Sequence, residues 1–189
     1  MPLNWPNILT WIRILMIPVV VGVFYLPDWM LSKHEQNLIA CVLFTAAAIT
    51  DILDGYLARR LNQMSPFGAF LDPVADKLMV AAALIVLVQL GRVDAVIAVI
   101  IIGREIAISA LREWMATVGE AKSVAVSLLG KIKTIAQMVA IPMLLYHNPI
   151  PLFDARVVGT WLIYLAAALT LISMLHYMIL ARPSAIRHG

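Results

Sequence analysis

Apolar side chains follow one another along this sequence in runs of roughly twenty residues, the length that a helix needs to cross the hydrocarbon core of a bilayer, and only short polar gaps separate the runs. Backbone groups in such surroundings must be satisfied internally, so a chain of this kind can fold only into helices or a closed barrel. The length of the runs selects helices. Composition points the same way: of 189 residues, 62% are hydrophobic and 13% charged, against about 45–50% and about 25% in soluble domains. The mean hydropathy is +0.92. A chain this apolar could not cover its own surface in water. We therefore expect an all-α integral membrane protein, with residues 1–189 forming a single domain and little chain left for a soluble appendage.

Hydropathy, bounded by Pro, Gly and charge, predicts six transmembrane helices near 7–26, 37–60, 67–90, 94–117, 124–146 and 156–181. The first and last are ordinary spans apart from Arg13 and His176. Each of the middle four has an apolar half and a polar half, carrying Asp51 and Asp54, Asp72 and Asp76, Arg104 and Glu105, and Lys131 and Lys133. Lys and Arg gather at one side, and only Lys33, Arg92 and Arg156 lie toward the other. This bias places both termini in the cytoplasm. The four polar halves then point one way and converge on a polar cavity open to the cytoplasmic side.

The formal net charge of +3 and pI near 9.2 do not signal nucleic acid, because the basic residues form no dense run. The first span has no basic leader before it and no small-residue cleavage site, so it is expected to be retained. One cysteine, Cys41, excludes an intrachain disulfide and reads as a small core residue. No inverted repeat of broken helices marks a transporter.

The stretch from Asp51 to Lys77, DILDGYLARRLNQMSPFGAFLDPVADK, holds the chemistry. On a helix, Asp51 and Asp54 share a face, as do Asp72 and Asp76. The connection through Ser65 and Pro66 lets the two helices run antiparallel, so that four carboxylates can meet. Like charges this close, in a low dielectric, raise one another's pKa or recruit cations. All-oxygen ligation suits Mg²⁺ or Mn²⁺, with Ca²⁺ as a competitor, and four carboxylates suffice for two ions. The alternative is pairing of these acids with Arg59, Arg60 and Lys77. Gly55, Ala58 and Gly68 fall in register with the acids; small residues there either admit a bulky ligand or bring helices together.

These residues resemble the signature of the CDP-alcohol phosphotransferase family: Asp51, Asp54, Gly55, Ala58, Arg59, Gly68, Asp72 and Asp76 match it at every spacing. The resemblance implies a six-helix membrane enzyme that transfers a phosphate-linked group from a CDP-activated donor to an alcohol and releases CMP. It implies that Asp51, Asp54, Asp72 and Asp76 bind two divalent cations and that Asp76 is also the general base. By the same resemblance Gly55, Ala58 and Gly68 admit the cytidine of the donor, Arg59 contacts its phosphates, and the protein is a homodimer.

The signature is silent about the acceptor. Arg104 and Arg112 are eight residues apart, about 80° around a helix, and can face one cavity. Lys131 and Lys133 lie on the same side of the membrane but about 200° apart, so one of them faces the substrate unless the helix is irregular. Four cations call for an anion, and a phosphate-bearing acceptor supplies it; a quaternary ammonium would prefer aromatic walls. The segments 7–13, 103–114 and 123–138 resemble bacterial family members that use sn-glycerol 3-phosphate as acceptor and CDP-diacylglycerol as donor. That likeness implies phospholipid biosynthesis in the cytoplasmic (inner) membrane. The competing expectations are a sister enzyme using inositol phosphate or serine and, more remotely, a divalent-cation transporter.

Overall fold

The computed structural model describes residues 5–61, 66–117, 128–151 and 153–188, leaving aside the side chains of 5–7, 52–61, 66–67, 69, 128–129, 131, 176 and 180–188. Among the described residues are six helices: α1 (Trp5–Gly22), α2 (Lys33–Leu61), α3 (Pro66–Gln89), α4 (Ala95–Thr117), α5 (Leu128–Tyr146) and α6 (Ala155–His188). A 3-10 turn, Val23–Tyr25, continues α1. Strands β1 (Pro149–Ile150) and β2 (Phe153–Asp154) pair antiparallel between α5 and α6, Pro149 opposite Asp154 and Ile150 opposite Phe153. The helices fall where hydropathy expects them, except that α6 runs beyond 181 to His188. The expected start of the fifth helix at 124 lies outside the described residues.

Local chemistry sets the helix ends. Ser32 and Glu35 form a capping box at the start of α2: the Ser32 N–H donates to Glu35 Oε2 at 2.7 Å and the Glu35 N–H to Ser32 Oγ at 3.4 Å. Asp94 accepts from the Val96 N–H at 2.7 Å ahead of α4. Asp154 accepts from the Arg156 N–H at 2.9 Å ahead of α6. Gly91 ends the turn after α3 at φ +67°, a conformation costly for any residue with a Cβ.

Among the described residues, two helices are long and apolar enough to cross a membrane by length and composition, Ile8–Tyr25 and Ala155–Ile179; the apolar part of α5, Ile132–Tyr146, is shorter. Charges within α2, α3 and α4 interrupt their apolar runs. Packing places α1 against both α2 and α3, α2 against α5, α5 along α6, and α4 between α3 and α6. Ala40, Phe44, Ala83, Leu84, Ile101 and Ile141 lie in the common core. Small residues let the backbones approach: a Cβ on Gly159 of α6 would stand 3.0 Å from Leu144 of α5.

Arg92, in the turn between α3 and α4, ties the end of the bundle remote from the acids. Its Nη1 donates to the carbonyls of Leu144 (3.0 Å) and Leu145 (2.8 Å), and its Nη2 to Asn37 Oδ1 at 2.7 Å. The last carbonyls of α5 have no intrahelical N–H to receive, and the guanidinium supplies three bonds from one half-buried cation. Arg92→Gln should lower stability by about 2 kcal/mol, measured as the unfolding midpoint in detergent; an unchanged midpoint would refute this role.

Candidate active site

Arg13 brings acids of two other helices together. It sits in α1 at 2% exposure. Its Nη1 donates to Asp51 Oδ1 of α2 at 2.8 Å and to Asp76 Oδ1 of α3 at 2.7 Å. Three residues earlier, on the same face of α1, the hydroxyl of Thr10 donates to Asp72 Oδ1. One face of α1 thus holds three of the four expected acids, and α1 can do so because it packs on both α2 and α3. Asp54, Gly55, Ala58 and Arg59 lie in α2, but their side chains are outside the described residues. Gly68 is buried in the first turn of α3. Among the described residues no group of three or more His, Cys, Asp or Glu side chains stands close enough to hold a metal ion.

Two cavities open from this junction. The smaller, about 230 Å³, is lined by Asp51 and Asp76, by Lys77 and Glu105, and by Thr134 and Gln137 of α5. The larger, about 440 Å³, lies between α3 and α4, and its polar lining is Lys77, Arg104, Glu105, Ser109, Arg112 and Glu113. Pro73, Lys77 and Glu105 belong to both walls. A space whose wall is mainly acidic and one that holds two arginines therefore adjoin.

The cations of the larger cavity are held from α6. Arg104, 7% exposed, donates from Nη2 to Ser173 Oγ at 3.2 Å. Arg112 donates from Nη2 to Tyr177 Oη at 3.4 Å. Both guanidinium carbons lie near the Tyr177 ring, 5.7 Å from its centroid for Arg104 and 5.5 Å for Arg112, within cation–π range. The Nε of each arginine is buried without a hydrogen-bond partner. Glu105 Oε2 approaches Arg104 only to 3.9 Å, because its other oxygen is taken by Lys133, itself 1% exposed. Lys133 thus balances Glu105 at the edge of the cavities. Lys131 is in α5, with its side chain outside the described residues.

Sequence reasoning passed over Thr10, Glu105 as the partner of Lys133, Ser173, Tyr177 and Gln137. It marked Arg13 as an oddity of its span without assigning it a role. The usable signal was energetic: a guanidinium in an apolar run needs a partner inside the bundle, and unpaired acids were on offer in two neighbouring spans.

The CDP-alcohol phosphatidyltransferase family matches residues 3–172. The chain belongs to this family. Relatives called CDP-diacylglycerol–glycerol-3-phosphate 3-phosphatidyltransferase resemble it along nearly their whole length. Those of Shigella flexneri (serotype 5b) and Escherichia coli (strain K12) are each 49% identical over 189 residues, covering 98% of this chain and 99% of theirs. That of Salmonella choleraesuis is 48% identical over 185 residues, covering 96% and 97%. Within the family fold, the Arg13 bridge makes a distinct energetic demand. Arg13→Gln leaves two carboxylates facing each other, whereas Asp51→Asn leaves the Arg13–Asp76 pair intact. In chelator-treated protein, Arg13→Gln should cost about 2–3 kcal/mol and more than Asp51→Asn does. The double variant should cost less than the sum of the two; strict additivity in thermal unfolding would show that the bridge carries no coupling.

Proposed function

We propose that this chain transfers the phosphatidyl group of CDP-diacylglycerol to sn-glycerol 3-phosphate, giving phosphatidylglycerophosphate and CMP. The near full-length identity of 49% to relatives bearing that activity in their names carries the proposal. The adjoining cavities support it chemically: one offers carboxylates to a reacting centre, the other offers guanidinium forks to an anion. An inositol phosphate or serine acceptor, or metal transport, has no relative of comparable extent among those described above.

The architecture we propose is one membrane domain of six spans with both termini cytoplasmic. Exposed apolar stripes support it on the helices whose charges shorten their apolar runs: Leu38, Val42 and Ile49 on α2, Leu78 and Ile85 on α3, Val96, Val99 and Ile106 on α4, and Ile132, Ile135 and Val139 on α5. Water would not tolerate apolar surface on every side, and lipid would. A bacterial inner membrane and a homodimer complete the proposal, both from family likeness.

In the mechanism we infer, the phosphate of the acceptor enters the larger cavity and takes hydrogen bonds from Arg104 and Arg112, whose Nε atoms are unengaged. Lys133 and Lys131 add positive charge, Lys133 through its hold on Glu105. The primary hydroxyl then reaches Asp76 at the junction of the cavities, and the carboxylate removes its proton. The freed oxygen attacks the β-phosphorus of the donor; a new P–O bond forms, the pyrophosphate P–O bond breaks, and CMP leaves with the electron pair. Gly55, Ala58 and Gly68 make room for the cytidine, Arg59 meets the donor phosphates, and the acyl chains stay in lipid. By the chemistry of the donor set, the carboxylates of Asp51, Asp54, Asp72 and Asp76 would suit two hard divalent cations, Mg²⁺ or Mn²⁺. Such ions, when bound, supply the positive charge that pyrophosphate chemistry requires.

Purified protein offered CDP-diacylglycerol with glycerol 3-phosphate, inositol phosphate or serine should release CMP with the first alone. Chelation or Asp72→Asn should abolish that release, and full turnover in either case would remove the metal assignment. Arg104→Lys keeps the charge but loses the planar fork. It should raise the KM for glycerol 3-phosphate by about tenfold or more while leaving the KM for CDP-diacylglycerol within about twofold. Parent-like acceptor dependence, or failure through unfolding alone, would remove Arg104 from the phosphate site.

A further inference from the structure

Gln137 is a polar side chain of the smaller cavity that the proposed mechanism leaves without work. It stands in α5 at 2% exposure, on a wall shared with Asp76 and Glu105, and its Oε1 is buried with no hydrogen-bond partner. A buried acceptor in that state carries an uncompensated desolvation cost, so its presence beside a cavity is a demand for a donor. Its neighbours do not meet the demand: the Thr134 hydroxyl is committed to the Gly130 carbonyl at 2.9 Å, and the Lys133 ammonium to Glu105. The chemistry of the site narrows what a ligand must bring. Acceptors predominate on this wall, where Asp51, Asp76, Glu105 and Gln137 stand with the ammonium of Lys77; a hydroxyl donates, as Gln137 Oε1 requires, and is small enough for a space of about 230 Å³.

We propose that Gln137 Oε1 accepts a hydrogen bond from the secondary hydroxyl of the acceptor, the one on the carbon next to the attacking primary hydroxyl. The inference rests on the reading of the chain as a glycerol phosphate transferase and adds a specificity subsite to it. A glycerol phosphate with its phosphate at Arg104 and Arg112 and its primary hydroxyl at Asp76 has its central carbon where the two cavities meet, because Lys77 and Glu105 line both. Gln137 then reads whether that carbon carries a hydroxyl. A site with a buried polar group discriminates strongly against a ligand that leaves the group unpaired.

The test pairs acceptor and variant. 3-Hydroxypropyl phosphate keeps the phosphate and the attacking hydroxyl and lacks only the secondary one. The parent protein should prefer glycerol 3-phosphate over it by about tenfold or more in kcat/KM. In Gln137→Met, similar in volume and without the amide, the preference should fall to within about threefold, chiefly through loss with the natural acceptor. The ratio is taken within one preparation, so the fraction of folded protein cancels. A second arm compares CDP-diacylglycerol with its 2′-deoxycytidine analogue, since the ribose is the other source of a hydroxyl; that ratio should not move in the variant. Equal use of both acceptors by the parent, a preference kept in Gln137→Met and in Gln137→Leu, or a change confined to the deoxy-donor ratio overturns the inference. So does complete inactivity of both variants, an effect larger than one hydrogen bond. A parent that uses neither acceptor would instead defeat the proposed reaction itself.

Discussion

A charge set among lipid-length apolar helices has to find its opposite inside the protein, because neither lipid nor neighbouring Leu and Val can solvate it. The arrangement of this bundle follows from how that is done. Arg13 is matched to Asp51 and Asp76, Lys133 to Glu105, and Arg92 to carbonyls that end α5. Each pairing joins residues of different elements, so neutralising the charges also fixes which elements are neighbours. A helix bundle held by apolar packing alone could slide or rotate with modest loss, since lipid and Leu are equally apolar; moving α1 by one residue here would carry Arg13 away from both acids.

The position of α1 has consequences for the acids themselves. Asp51 and Asp76 meet as like charges where α2 and α3 approach. With α1 against both, one Arg13 nitrogen reaches an oxygen of each, and a Thr10 hydroxyl steadies Asp72 one turn away. The acids are held in place by side chains that are themselves almost wholly buried, Thr10 at 1% and Arg13 at 2% exposure, while Asp51 and Asp76 remain about a third exposed and face the cavity. The supporting side chains are buried and the acids stay accessible.

Much of this was legible in the sequence, and the boundary of what was legible has a physical cause. The helices could be read because the information is local, in the apolar runs; the Ser32–Glu35 box that opens α2 at Lys33 went unread, and that span was expected only from 37. The candidate acids and arginines could be found because ionised groups in apolar runs are expensive and so stand out. Partners were a different matter. For Asp51 and Asp76 the side-chain partners weighed, as the alternative to binding cations, were Arg59, Arg60 and Lys77, but the ion pairs described for them reach back to Arg13, across 63 positions for Asp76, a choice set by the packing of α1 that no periodicity encodes. Glu105 was visible beside Arg104, yet it takes Lys133, 28 positions away. Tyr177 and Gln137 carried no signal at all, being ordinary residues of apolar helices until tertiary packing places one under two arginines and the other on a cavity wall.

The way the two arginines are held bears directly on what they can do. An arginine paired to a carboxylate has spent its fork, and an incoming anion would have to displace that partner first. Arg104 and Arg112 are held instead by the face and hydroxyl of Tyr177 and by Ser173, groups that fix the planes of the guanidinium ions without cancelling their charge. Glu105, the carboxylate nearest Arg104, is drawn off by Lys133. Lys133 therefore contributes to the positive character of the larger cavity while itself buried, by neutralising the acid that would otherwise compete for Arg104. Burial of an Arg donor is costly when it stays unpaired, and the bundle accepts that cost at Nε of both residues. In the proposed reaction an entering anion with several acceptor oxygens would offset that cost, so the desolvation of the two Nε atoms and the affinity for such an anion would be two sides of one energy difference.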